Sequence, residues 1–293
     1  MKIAVASGKG GTGKTTVSAS LVSVWESPVV AVDLDVEEPN LHLFLNPTMT
    51  GGNTASMDVP EVDESKCTQC GECAELCQFR AISVLGTVVL TFPEMCHGCG
   101  GCMAICPEKA ITSGSRVLGE ISWGRARDAG FLMGKLRVGE AMSPPLMRAV
   151  KRKLDSMAES AGRDVIIDAP PGVSCPAVNA VMDSDVIVLV TEPTPFGLYD
   201  LKLAHEAFRP LGIPMGVVVN RAGLGNSEVF EFCASAGLDI LATIPYERAI
   251  AEAYSDGRII AETSPELARQ FRDLAKKILS LGSEVCRKEV SFA

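Results

Sequence analysis

Gly8-Lys9-Gly10-Gly11-Thr12-Gly13-Lys14-Thr15 fits the spacing G-x-x-x-x-G-K-[ST], and the rest of the chain is read outward from it. Residues 2–7 before it (Lys-Ile-Ala-Val-Ala-Ser) read as a short buried strand. The stretch from Lys14 to about Trp25 reads as a helix, which supplies the strand–loop–helix context that the motif needs. Glycines let backbone N–H groups close on a phosphate with no Cβ in the way. The helix N-terminus that follows adds a dipole favourable to an anion. On this reading Gly8, Gly10, Gly11, Thr12, Gly13 and Thr16 belong to the cradle. Lys14 reaches the β- and γ-phosphates, and the Thr15 hydroxyl ligates Mg²⁺.

Outward from the loop, Val29–Asp33, Val165–Asp168, Val186–Val190, Gly216–Asn220 and Ile240–Ile244 are short apolar runs. Helical stretches such as Leu198–Phe208, Ser227–Ala236 and Pro265–Leu281 separate the later ones. Strands alternating with helices predict an α/β fold, a mostly parallel sheet with helices on both faces. The rhythm breaks between about Glu61 and Thr112, where the chain is cysteine-rich. Residues 61–112 are therefore assigned to an inserted small α+β module, and 1–60 with 113–293 to the main domain. Val117–Val138 reads as a glycine-punctuated hairpin returning the chain to the sheet.

The 293 residues carry a formal net charge of −9, which argues against a nucleic-acid backbone as partner. No apolar run reaches the length of a spanning helix, and the start is too short for a signal peptide, so a cytoplasmic protein is expected. Eleven cysteines are many for that compartment, where clustered thiols read as metal ligands or catalytic groups. Eight of them lie between Cys67 and Cys106.

The second lysine of the loop narrows the reading. Lys9-Gly10-Gly11-Thr12-Gly13-Lys14-Thr15 matches K-G-G-x-x-K-[ST], and here the sequence resembles the deviant Walker A family of MinD, ParA, the nitrogenase iron protein and Mrp-type proteins. The resemblance implies that Lys9 crosses a dimer interface to the partner's nucleotide and stabilises charge on the leaving phosphate. It implies that Asp35, in Asp33-Leu34-Asp35, orients the attacking water, with Asp33 in the outer shell of Mg²⁺. Taken alone, Lys9 also reads as a solvated loop lysine, and Asp33–Asp35 as an acidic turn at a strand end. Asp164 through Gly172 resembles Walker B running into switch II, with Asp168 holding Mg²⁺ through water and Gly172 sensing the γ-phosphate by its N–H. In the family, the Asn of Asn220-Arg221 binds the adenine edge and Pro245-Tyr246 borders the base. Position 223 is Gly rather than the Asp of N-K-x-D, so ATP is expected in preference to GTP.

Cys67-x-x-Cys70-x-x-Cys73-x-x-x-Cys77 is followed by Cys96-x-x-Cys99-x-x-Cys102-x-x-x-Cys106-Pro107, a doubled spacing that resembles bacterial two-cluster ferredoxins. Zinc sites use pairs of CxxC rather than runs of four. In ferredoxins the fourth cysteine of each run ligates the other cluster. The resemblance therefore implies one [4Fe–4S] cluster on Cys67, Cys70, Cys73 and Cys106, and a second on Cys96, Cys99, Cys102 and Cys77. Cys77 precedes Gln78 where ferredoxin motifs have Pro, which bears on the local turn and the solvent shielding there. His97 is read as a bystander or a support rather than a ligand. Residues 61–112 hold seven acids against three bases, so a basic partner would be steered to the module.

Four features stay secondary. Cys175 is read as packing, with a redox or cluster-transfer thiol as the alternative, and Cys233 and Cys286 as structural. Arg148, Lys151, Arg152 and Lys153 read as a solvated helix face. Leu267, Phe271, Leu274 and Ile278 read as a helix packed on the sheet rather than on a membrane. Together the resemblances imply a slow, partner-stimulated ATPase that forms a homodimer on binding ATP and couples this switch to electron transfer through two [4Fe–4S] clusters. The partner would be a redox or client protein, with neither nucleic acid nor membrane. Two alternatives are a carrier delivering clusters or metal to client proteins, and a MinD-like positioning ATPase whose clusters only staple the fold.

Overall fold

The computed structural model describes residues 1–158 and 162–290, with side chains of 1–157 and 162–283; Cys286 lies outside the described side chains. Strand β1 (Lys2–Ala6) leads through the glycine loop into α1 (Lys14–Val24), β2 (Val29–Asp33) and one turn of helix, α2 (Leu41–Leu45). The chain then runs through the long strand β3 (Thr48–Val62), the short helix α3 (Glu72–Leu76), the hairpin β4 (Ile82–Leu85) and β5 (Val88–Thr91), and α4 (Gly101–Ile105). It returns in β6 (Ile111–Ala126) and β7 (Ala129–Leu136). The remainder alternates: α5 (Ser143–Ala158), β8 (Asp164–Asp168), α6 (Cys175–Val181), β9 (Val186–Thr191), α7 (Pro195–Phe208), β10 (Met215–Ala222), α8 (Glu228–Ala236), β11 (Asp239–Pro245), α9 (Arg248–Ser255) and α10 (Pro265–Val290).

Nine strands follow the order β11-β10-β9-β1-β8-β2-β7-β6-β3. The pairs from β11 through β7 are parallel, so this part of the sheet needs cover on both faces and its central strands are largely apolar. β2 and β9 are buried at every position. One core gathers Ile3, Val5, Ala31 and Val188 of the sheet with Leu21 of α1 and Phe271, Leu274 and Ile278 of α10. The apolar stripe of α10 is thus spent on packing. No described helix is long and apolar enough to cross a membrane.

The chain divides into two compact units. The first holds residues 1–52, 121–135 and 147–293; the second holds 53–120 and 136–146. The hairpin read over Val117–Val138 is present as β6 and β7, turning at Arg127-Asp128. The helix read to Leu281 runs on to Val290. The basic run from Arg148 to Lys153 lies on a helix, α5, as its spacing suggested, whereas α9 had no apolar run to reveal it. β3 was hidden because Gly51-Gly52-Asn53 reads as a loop, although Ala55, Met57 and Val59 are buried at the period of two that a strand with one covered face shows.

Within the second unit a buried ion pair does the work that a small core cannot. Arg116 of β6 donates Nη2 to Glu140 at 2.5 Å and Nη1 to the carbonyl of Pro93, and both charged side chains are almost fully buried. Glu140 also accepts from the backbone N–H groups of Ala141 and Met142. Arg137 Nη2 also lies 3.5 Å from Glu140 but is half-exposed, so Arg116→Ala leaves the buried carboxylate only a long, solvated partner and should destabilise this unit by about 3 kcal/mol. Amide hydrogen exchange over residues 112–118 and 140–142 should accelerate accordingly, while exchange in β1 and β8 stays as in the wild type.

Candidate functional site

The parallel register sets the first site. Asp33 of β2 lies beside Asp168 of β8, and Val5 of β1 lies on the other side of Asp168. Three strands therefore end together at the carboxyl edge of the sheet, where ligands bind in such folds. The loop from Gly8 to Gly13 rises from β1 at the same edge. Gly11 and Gly13 have φ of 79° and 96°, the left-handed region that favours glycine. A Cβ on Gly13 would also stand 2.3 Å from the Asn220 amide.

Asp168 clamps the start of α1 from below. Its carboxylate accepts from the Thr15 hydroxyl at 2.6 Å and from the Ser18 hydroxyl at 2.9 Å. Asp33 uses both oxygens on its own loop, accepting from the N–H of Asp35 at 3.1 Å and of Leu41 at 2.9 Å. That anchorage fixes Asp35, whose Oδ1 accepts from Glu38 N–H at 3.4 Å. Burial raises all three carboxyls above their ordinary range: Asp33 well above, with Asp168 adding to it, and Asp35 from 3.8 to about 6. Burial lowers the Lys14 ammonium in turn, opposed by Asp168, Asp35 and Asp33. Two buried carboxyls and a half-buried third around one desolvated ammonium form an arrangement that a polyphosphate and a divalent cation would balance together.

Beside them opens a broad cavity. Among the residues singled out in the sequence, Gly10, Gly11, Gly13, Lys14, Thr15, Thr16, Asp35, Asn220, Arg221, Pro245 and Tyr246 line it. Gly8, Lys9, Thr12, Asp33, Asp168 and Gly172 are not part of that lining. Asn220 donates its amide to the Thr12 carbonyl at 2.8 Å and accepts from Arg221 N–H at 2.9 Å, so it ties the phosphate loop to the end of β10. Gly172 donates its N–H to the Ser7 carbonyl at 2.9 Å. Lys9 turns onto its own chain, 2.6 Å from Glu192 and 4.0 Å from Asp200. Sequence reasoning missed Glu192, Ser18 and the wall supplied by α9, Ile250 and Tyr254. Glu192 directly follows β9, one residue beyond the strand-end position that Asp33 and Asp168 hold on theirs, and that place at the sheet edge was its available signal. Glu247 also lines the cavity, a carboxylate that the Gly at position 223 did not reveal.

In the second unit the eight clustered cysteines sort into two cavities. Cys67, Cys70, Cys73 and Cys106 line one; Cys77, Cys96, Cys99 and Cys102 line the other. Each cavity takes three thiols from one run and the fourth from the other. Among the described residues, no three His, Cys, Asp or Glu side chains are drawn together as around a single metal ion. The turns after Cys77 and Cys106 are alike: Arg80 and Lys109 both adopt positive φ, and the N–H groups of Ala81 and Ala110 each lie 3.3 Å from the sulfur they donate to. Gln78 in place of Pro therefore leaves that turn unchanged. His97 stacks on Phe79 at 3.5 Å between ring centres, at the wall of the second cavity. Cys175 is exposed at the start of α6, and Cys233 is buried, its thiol pushed up by burial to about 11.

Comparison with known proteins places this architecture. The family model of the CobQ/CobB/MinD/ParA nucleotide binding domain (CbiA) matches residues 3–260. An uncharacterized protein of Methanocaldococcus jannaschii is 30% identical over 284 residues, covering 95% of this chain and 96% of its own. A protein of Aquifex aeolicus named an iron-sulfur cluster carrier is 30% identical over 150 residues, 45% of this chain and 41% of its own. The solved structure of the septum site-determining protein MinD of Pyrococcus horikoshii, complexed with Mg-ADP, superposes with a TM-score of 0.56 at 23% identity, over 94% of this chain and 95% of that one.

The raised Asp35 carboxyl has a measurable consequence. A carboxyl that holds its proton more tightly when folded weakens the fold as pH rises through its folded pKa, here about 6, and costs nothing once pH falls below its ordinary 3.8. In nucleotide-free, magnesium-free protein, Asp35→Asn should therefore be more stable than wild type at pH 7.5, by up to about 3 kcal/mol. The advantage should shrink as pH is lowered through 6, as read by thermal melting at each pH.

Proposed function

Because the chain belongs to the CobQ/CobB/MinD/ParA nucleotide binding domain family, we propose that it is an ATP-hydrolysing iron–sulfur protein, a dimeric switch coupled to electron transfer. The nucleotide would occupy the cavity above α1, with its phosphates on the Gly8–Thr16 loop and Lys14. Thr15 would hold Mg²⁺ directly, and Asp168 would act through water. Asp35 would orient the attacking water. Lys9 does not line the cavity that Lys14 serves, which supports its use on the nucleotide of a second copy.

The observation that carries the iron–sulfur part is the sorting of eight thiols into two sets of four, each lining its own cavity. Four thiolates suit a cube of four irons, which is wider than a single ion and sets its ligands further apart. The two clusters, when bound, supply one-electron transfer. The core around them is small: Cys73, Ile82 and Ile111, backed by partly buried neighbours that include three more of the cysteines. Burial raises the thiols of Cys73 and Cys102, so binding iron must draw off their protons and would contribute to folding this unit. The likeness to the Aquifex aeolicus cluster carrier favours a second reading, in which the clusters are cargo handed to client proteins.

Anaerobically purified protein should contain about eight irons and eight acid-labile sulfides per chain. Cys106→Ala and Cys77→Ala should each lose about half of both, because each removes the fourth ligand of a different cluster. Stoichiometric zinc with little iron would overturn the assignment. Clusters that are reduced reversibly and survive ATP turnover support the switch; clusters that move to an apo-acceptor on turnover support the carrier. Calorimetry should find MgATP bound in preference to MgGTP, and Lys14→Ala should abolish binding.

A further inference from the structure

Glu192 holds two cations at once. Its side chain is 11% exposed, with Lys9 Nζ 2.6 Å from Oε1 and Arg221 Nη1 3.0 Å from Oε2. Lys9 comes from the phosphate loop, and Arg221 from the end of β10 at the cavity wall. The segment carrying Glu192 is wedged between those two loops. A Cβ on Gly8 would stand 2.0 Å from the Asp200 carbonyl, and one on Gly225 would run into the Pro193 carbonyl, to which Asn226 N–H donates at 3.1 Å. Arg221 has φ of 54°, a conformation that an L residue adopts at a cost, so the local fold imposes its direction.

We propose that Glu192 is a positioning residue that keeps Lys9 on its own chain, and that Arg221 is the counter-ion that lets Lys9 leave. This rests on the reading above, in which Lys9 serves a second copy's nucleotide. Lys9 cannot reach across an interface while it lies on Glu192, and a buried carboxylate stripped of its cation is strongly disfavoured. With Arg221 on the other oxygen, Glu192 keeps a partner after Lys9 departs. Burial works against the Glu192 charge, but Lys9 and Arg221 together hold its carboxyl below the ordinary value, so the latch stays charged at neutral pH. Asp200, 4.0 Å from Lys9, offers a second carboxylate beside the exit. The base side of the cavity and the lysine destined for the partner copy thus share one joint.

Two measurements test this. In nucleotide-free protein, amine labelling of Lys9, read by mass spectrometry against the exposed Lys276, should quicken severalfold in Glu192→Gln. It should slow in Arg221→Ala, where the whole carboxylate charge acts on Lys9. Should Glu192→Gln fail to fold, Glu192→Asp keeps the charge but loses the reach, and should also quicken labelling. In sedimentation with MgATP, Arg221→Ala should stay monomeric at concentrations where the wild type dimerises, and adding Glu192→Gln should restore the dimer. No restoration would mean that Arg221 acts on the nucleotide alone and would overturn the proposal. Wild-type labelling of Lys9 in the Glu192 variants would overturn it too, with the dimer reading left standing. A wild-type chain that stays monomeric with MgATP would remove the dimer reading and this proposal with it.

Discussion

The hydrogen bonds from Thr15 and Ser18 to Asp168 are the contact on which the nucleotide site depends. They fasten the first turns of α1 to the end of β8, and so fix the glycine loop over the sheet edge. The Asn220–Thr12 bond, the Ser7–Lys9 bond and the Lys9–Glu192 pair hold the rest of the loop, but none of them reaches its junction with α1. The clamp works because β8 lies between β1 and β2, so its last residue falls directly beneath the loop. Burying Asp168 costs free energy, which two hydroxyl donors and the nearby Lys14 charge offset.

The same logic recurs on each strand that ends at this edge. Asp33 is consumed by backbone N–H groups and so positions Asp35 rather than facing solvent itself. Glu192 is consumed by two cations and so positions Lys9. Each buried carboxylate is satisfied by neighbours that it thereby places; Thr15, Asp35 and Arg221 are so held at the cavity, and Lys9 outside it.

The second unit is organised by a different constraint. Its two halves repeat one pattern, from Cys67 to Ile82 and from Cys96 to Ile111, with matching turns after the fourth cysteine. The repeat exchanges its fourth thiols, so neither half completes a set of four alone. A core of a few side chains would be marginal by itself. The Arg116–Glu140 pair and the thiol sets supply constraints that apolar burial does not.

The sequence alone determined what is local and periodic. The glycine loop was legible because its residues are contiguous and its glycines answer to backbone geometry. The parallel strands were legible because burial on both faces demands unbroken apolar runs. The eight cysteines were legible because their spacing is regular. Only the tertiary structure decided what depends on register and on pairs far apart in the chain. It joined Asp33 to Asp168, separated by 135 positions, through the β2–β8 pairing. It brought α9 to the cavity, and it put Lys9 on Glu192, 183 residues away. A carboxylate's partner is chosen by which strand ends beside which loop, and no local pattern encodes that.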